Sequence, residues 1–222
     1  MHVRLLFALS LFAASSPTVA AIDDGLCRNG IFGMDNPTVD LAIIAGKGRV
    51  YFLEDMEGCP NGEPRCRQNS YVIPSDAVVT GRSKGRYVCV FYPNKRGGSA
   101  GWMESTRLKR LPARQNPPIR EWVGQWSALG NPEVRFYVRR GKLMVEGDSY
   151  WPSPNPPLSE RPGGPNIGNI SEPVRVTGNR AHAADCNIRF TLLGNLIVAA
   201  DPDMQCGGMN VSFTGVYRRV GR

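Results

Sequence analysis

The chain has 222 residues and a formal net charge of +8, with six cysteines and two histidines. The roughly 200 residues that follow an N-terminal leader are long for one small barrel and comfortable for two compact domains. There is no CxxC pair and only His182 lies beyond the leader, a composition that disfavours a zinc site.

In residues 1–21, MHVRLLFALSLFAASSPTVAA, Arg4 precedes an apolar run from Leu5 to Ala14, and small residues follow at Thr18, Val19, Ala20 and Ala21. That order is the order of a secretory signal peptide, and an apolar run of about ten residues is too short to span a bilayer as a helix. Cys27 follows Asp24-Gly25-Leu26, which is not the small, aliphatic setting of a lipidated cysteine. The mature chain is expected to be periplasmic or secreted, with no lipid anchor and no membrane span.

Past the leader, short β-branched and aromatic runs alternate with Gly, Pro and Asn, and no amphipathic helix stands out. The expected fold class is all-β, with two small antiparallel barrels or sandwiches. These occupy residues 22–111 and 121–222, joined by a Pro-rich linker at 112–120. Val50-Tyr51-Phe52-Leu53 reads as a strand. Tyr71–Ile73 and Ala77–Val79 read as one strand broken by Pro74, which cannot donate to a ladder. Arg86–Tyr92 has the strongest strand pattern, and the Ser83-Lys84-Gly85 turn pairs it with Val78-Val79. Asn94–Gly98 is a turn, and Gly101-Trp102-Met103 enters a further short strand.

LPARQNPPIR, Leu111 to Arg120, has three prolines and no face to bury, so it reads as a stiff, solvated linker. The pattern restarts at Glu121–Trp126. Val134–Val138 and Leu143–Glu146 form a hairpin around Arg140-Gly141. The proline-rich WPSPNPPLSERPGGPN, Trp151 to Asn166, reads as a functional loop or a flexible insert. Four more strands are expected at Val174–Val176, Cys186–Thr191, Leu196–Ala199 and Val211–Val216, with a turn at Leu193–Asn195. About six antiparallel strands in about 100 residues suit a second small barrel or sandwich.

The positive charge is concentrated in one stretch. Residues 22–81 hold five Lys/Arg against nine Asp/Glu, residues 82–120 hold ten against Glu104 alone, and the rest hold eleven against nine. Such a segment either draws an anionic partner or forms a solvated basic face. All six cysteines (Cys27, Cys59, Cys66, Cys89, Cys186 and Cys206) follow the leader, and an even count suits disulfides in an oxidising compartment. Pairing within each half joins Cys186 to Cys206. The first four admit three pairings, of which Cys59–Cys66 with Cys27–Cys89 is the economical one.

Catalysis has little to build on. His182 and Cys186 invite a Cys–His nucleophile, but Cys186 has a partner in Cys206, and four residues along a strand separate side chains by about 13 Å. Asp185, Asp201 and Asp203 admit a paired-carboxylate or calcium reading beside the plainer one of a polar hairpin loop. No Gly-rich phosphate loop opens a helix. No enzyme activity, cofactor, metal or nucleic-acid partner is expected.

YVIPSDAVVTGRSKGRYVCVFYPNKRGGSAGWMESTRLKRL, Tyr71 to Leu111, resembles the bacterial SH3-like domain. The shared parts are a strand pair (Val78-Val79 with Arg86–Val90), a turn, Gly101-Trp102, and a short segment closing on Leu108. The cysteines and the CPNGEPRC segment, Cys59 to Cys66, depart from the usual pattern. The resemblance implies a module that binds cell-wall peptides or glycans in exported bacterial proteins. On that footing Trp102 or Tyr92 stacks on a sugar or covers a peptide, with barrel core as the other reading of Trp102. Arg86, Lys95, Arg96 and Arg107 are then candidates to hold an anionic group.

CGGMNVSFTGVYRR, Cys206 to Arg219, is similar to the endings of uncharacterised exported bacterial proteins. With WVGQW it resembles a lipocalin-like barrel, here one filled mostly by its own side chains. The expected function is non-catalytic binding of a cell-envelope component, either a peptidoglycan peptide or an anionic glycan. The alternative is a secreted protein-binding factor such as an enzyme inhibitor or an immunity protein.

Overall fold

The computed structural model describes residues 26–35, 38–56, 58–94, 97–128, 131–151 and 165–220, which form two antiparallel β systems. Residues 1–25, Lys95, Arg96 and residues 152–164 lie outside the described residues.

The first system has seven strands: β1 (Asp40–Ile44), β2 (Val50–Leu53), β3 (Arg67–Val72), β4 (Ala77–Lys84), β5 (Tyr87–Tyr92), β6 (Ser99–Glu104) and β7 (Leu108–Leu111). Their order is β3-β2-β6-β5-β4-β1-β7. β4, β5 and β6 make a meander. β1 extends it, with Asp40 opposite Thr80 on β4 and Leu41 opposite Leu111 on β7. A 3-10 turn at Ser105–Arg107 carries the chain from β6 to β7. The segment expected as one strand broken at Pro74 is two. β3 pairs with β2, whereas β4 pairs with β1 and β5. Between them lies a turn with Ser75 at φ 76°.

Strand alternation puts β5 between two cores, because successive side chains leave opposite faces. Val90 packs with Ala42, Ile44, Phe52, Val78 and Met103 on one side. Tyr87, Cys89 and Phe91 pack with Trp102 on the other.

The second system is a closed barrel of eight strands, each antiparallel to its sequence neighbour. They are β8 (Gly124–Ser127), β9 (Glu133–Arg139), β10 (Lys142–Trp151), β11 (Asn166–Thr177), β12 (Arg180–Ala183), β13 (Ile188–Leu193), β14 (Leu196–Ala200) and β15 (Gly215–Val220). β15 closes on β8, with Arg219 opposite Trp126. The side chains of Trp122, Trp126, Phe136, Phe190, Phe213 and Tyr217 fill the interior, all of them fully buried. The Trp126 indole donates to the Trp122 carbonyl at 2.9 Å, and the Tyr217 hydroxyl donates to the Phe213 carbonyl at 2.6 Å. At Gly147 on β10, a Cβ would stand 2.2 Å from the Glu133 carbonyl oxygen, so only glycine fits this close approach of β9.

The two systems share an apolar contact. Leu193, Leu196, Val198 and Val216 project outward from the barrel and are buried against Phe32, Val39 and Phe91 of the first half. That double burial accounts for the unbroken apolar run of β14, whose Ile197 and Ala199 face the barrel interior. The expected solvated linker is only partly so. Pro117 is buried and Ala113 packs against the shared contact, because the chain passes along this seam.

Three disulfides brace the chain: Cys27–Cys89, Cys59–Cys66 and Cys186–Cys206. The first fastens the segment carrying Phe32, whose ring lies 5.5 Å from that of Phe91. Asp55 holds the same segment by accepting from the Cys27 N–H at 2.8 Å and from Arg28 Nε at 2.9 Å. Burial opposes ionisation of Asp55, but the Arg28 hydrogen bond, the Cys27 N–H and the Arg28 charge together hold its carboxyl below the ordinary value of 3.8.

A lowered folded pKa contributes stability that is present above the unfolded value and lost as pH falls through the folded one. Asp55→Asn is therefore expected to lower the urea midpoint at neutral pH. The deficit should narrow as the wild-type carboxylate protonates in the acid range. A deficit unchanged down to the acid limit would assign the effect to amide geometry instead of charge.

Candidate anion-binding cleft

β2 buries Val50 and Phe52 and turns Tyr51 outward. Across the hairpin Tyr51 is opposite Tyr71 on β3, with ring centroids 5.6 Å apart. The register slips between Tyr51 and Leu53, where Arg67 comes opposite Leu53. The Arg67 guanidinium lies 3.5 Å over the Tyr51 ring, and that of Arg49 lies 4.6 Å over the Tyr71 ring. Stacking fixes each guanidinium plane while leaving N–H edges for oxygen acceptors. Neither arginine has a carboxylate within ion-pair distance among the described residues.

Beside this hairpin is a cleft of about 260 Å³ lined by Arg49, Tyr51, Asn61, Gly62, Glu104 and Arg107. One wall is the loop closed by Cys59–Cys66. Asn61 stiffens it, accepting from the Glu63 N–H at 2.8 Å and donating to the Gly58 carbonyl at 3.3 Å. The opposite wall is the 3-10 turn, which directs Arg107 toward the β1–β2 loop. The Arg107 Nη2 donates to the Lys47 carbonyl at 2.9 Å, while its buried Nε has no hydrogen-bond partner among the described residues. Arg86 stands at the rim, donating to the Tyr87 hydroxyl at 2.9 Å and lying 3.6 Å from Glu104.

Of the ligand contacts expected from sequence, Arg107 lines this cleft and Arg86 borders it. Trp102 does not. It is fully buried at the centre of β6, opposite Cys89 and Leu53, so no ligand reaches its ring. Tyr92 is half-buried at the end of β5 against the core of Val78, Val90 and Met103, away from the cleft. Lys95 and Arg96 lie outside the described residues. Arg49, Tyr51, Asn61, Gly62, Arg67 and Tyr71 were not foreseen. Period-two spacing places Arg49 with Tyr51, and Arg67 with Tyr71, on one face of each strand, and that was the available signal.

The basic segment is not one patch. Arg82 pairs with Asp35, Arg86 with Glu104 and Arg114 with Glu121, while Lys109 and Arg110 lie exposed on the edge strand β7. Charged residues on an edge discourage pairing with another sheet.

The barrel's polar residues serve its loops. Cys186 is bonded to Cys206 and offers no thiolate, and His182 Nε2 lies 3.2 Å from Asn187 Oδ1. Cys186 is in the turn after β12, so it is the disulfide that removes it from nucleophilic chemistry, and strand spacing plays no part. Asp201 is buried and accepts from the Phe213 N–H at 2.8 Å, the Met204 N–H at 3.1 Å and the Ser212 hydroxyl at 3.3 Å. Burial raises its pKa despite those bonds. Asp203 accepts from Asn187 Nδ2 at 2.5 Å, and Asp185 is exposed. Among the described residues no three His, Cys, Asp or Glu side chains gather to hold a metal ion.

Fold and cleft together define an all-β protein with a cationic, tyrosine-lined cleft on a disulfide-braced sheet. No family model matches the chain, and no curated protein or solved structure matches it either.

Proposed function

We propose that the protein is an exported, non-catalytic binding protein whose first β system is SH3-like and recognises a cell-envelope component. A peptidoglycan peptide or an anionic glycan is the ligand class. The observation that carries this reading is the cleft, where Arg49 and Arg107 flank Tyr51 on a rigid rim. Stacked or anchored guanidiniums with free N–H edges suit planar anionic groups. The SH3-like reading draws support from the β4-β5-β6 meander, the 3-10 turn after β6, and β1 lying between β4 and β7. Export draws support from the three disulfides. No helix among the described residues is long and apolar enough to cross a membrane.

Co-sedimentation with purified peptidoglycan sacculi, from low to high salt, is the direct test. Wild-type protein is expected to pellet, and Tyr51→Ala with Arg107→Gln is expected to stay in the supernatant. No pelleting at any salt counts against the reading. A second reading, a protein-binding factor, then leads. It draws on exposed Trp151, Ile167 and Met209 at one rim of the barrel, where Asn166 Nδ2 donates to the Met209 carbonyl at 2.7 Å.

A further inference from the structure

We propose that the cleft and the adjoining hairpin read a linear acidic glycan, one with anionic groups on successive sugars. This rests on the envelope-binding reading and narrows its ligand. Arg67, Tyr51, Tyr71 and Arg49 form a ladder across the outer face of β2 and β3, with separations of 3.5, 5.6 and 4.6 Å between successive groups. Both guanidiniums converge on the tyrosine pair, Arg67 over Tyr51 and Arg49 over Tyr71 with a hydrogen bond to Tyr51. With Arg107 in the adjoining cleft they make three cations, more than one carboxylate neutralises, whereas successive charges on a chain do. Arg107 continues the series inside the cleft, and Arg86 continues it at the rim.

Among the described residues Glu104 is the single acidic one lining the cleft, and Arg86 already faces it. The ligand side must therefore supply the negative charge. Two observations favour a glycan over nucleic acid or peptide. Arg67 and Arg49 each occupy one face of a tyrosine ring, which reduces the aromatic face open to a stacking base. The end of a peptide without acidic side chains offers one carboxylate against the three arginines Arg49, Arg67 and Arg107.

The test is calorimetric titration of the whole mature protein at low salt. The probes are a linear oligogalacturonate, a phosphorylated dextran, acetyl-dialanine as the free acid, and a single-stranded DNA oligomer. At least one of the two acidic glycans is expected to bind, with affinity rising with chain length and falling with salt; the tighter of the two identifies the anion. Arg49→Gln with Arg67→Gln is expected to weaken binding about tenfold or more, as loss of charge-assisted hydrogen bonds implies. Arg139→Gln with Arg140→Gln removes equal charge from the barrel and should stay within about twofold of wild type.

Arg49→Lys with Arg67→Lys keeps the charge, loses the planar fork, and should also weaken binding. All three variants change exposed residues, and matching thermal midpoints verify their folding. Equal loss in the barrel control overturns the proposal, and so does unchanged binding by the glutamine pair. Tighter binding of acetyl-dialanine or of DNA overturns it as well. The two readings separate on sacculi. If the glutamine pair pellets like wild type, the ladder fails and envelope binding stands. If wild type never pellets, envelope binding fails and the titration alone judges the ladder.

Discussion

Trp102→Ala is expected to destabilise the protein by about 3–5 kcal/mol, the usual cost of emptying a buried aromatic site. The side chain is fully buried among Val79, Cys89, Phe91 and Ala100, in a strand hydrogen-bonded on both sides. Its indole N–H has no hydrogen-bond partner among the described residues, so packing accounts for its place. A loss of that size is a large share of the roughly 5–15 kcal/mol that stabilises an ordinary domain.

Ligand binding by this variant should fall only as far as its folded fraction falls. Trp102→Phe keeps most of the volume and should bind normally once folded. Tyr51→Ala, at a half-buried position within the ladder, should show the opposite behaviour, with a near-native urea midpoint and weakened binding. Parallel denaturation and binding curves for the three variants decide the matter. A folded Trp102→Phe that fails to bind, beside a Tyr51→Ala that binds normally, would place the site elsewhere.

The second large effect belongs to Cys27–Cys89. This bond spans a sequence separation of 62, against 7 for Cys59–Cys66. Loop-closure entropy in the unfolded chain then gives about 4 kcal/mol for the first and about 2 kcal/mol for the second. Cys27→Ser with Cys89→Ser also loosens the segment that seats Phe32 against Phe91 and the barrel's Val198. Thermal unfolding of the two double-serine proteins should rank them in that order, with the Cys27–Cys89 variant binding more of a hydrophobic dye. A larger loss from the short loop would contradict the entropic account.

The fold was legible in sequence where strand alternation was strong. Tyr87–Tyr92 and Glu133–Arg139 are read correctly because β-branched and aromatic residues recur there. β1 and β12 were not read. DLAII and RAHA carry too few such residues, and both strands are held by neighbours on each side. The last strand was expected from Val211 but begins at Gly215. Asp201 and Ser212 take the Phe213 and Thr214 N–H groups, and side-chain bonds of that kind displace a ladder.

Barrel closure depends on residues near 125 meeting residues near 219, which no local pattern reports. The cleft was the least legible part. It draws on a hairpin, a disulfide loop and a turn, and the aromatic that the Gly-Trp pair drew attention to is core. The positive charge was read as one segment, although Asp35 and Glu121 from outside it pair with two of its arginines, Arg82 and Arg114.

The apolar contact between the two systems also has a consequence for the order in which the chain is made. Synthesis starts at the N-terminus, and domains complete as they emerge. On the proposed export route the same order holds across the membrane, so the surface formed by Phe32, Val39 and Phe91 can be complete before β13, β14 and β15 arrive. The outward residues Leu193, Leu196, Val198 and Val216 find a partner as soon as their strands form. The first half acts as a template against which the last three strands can be laid. A barrel produced without it would carry an uncovered greasy wall from the start.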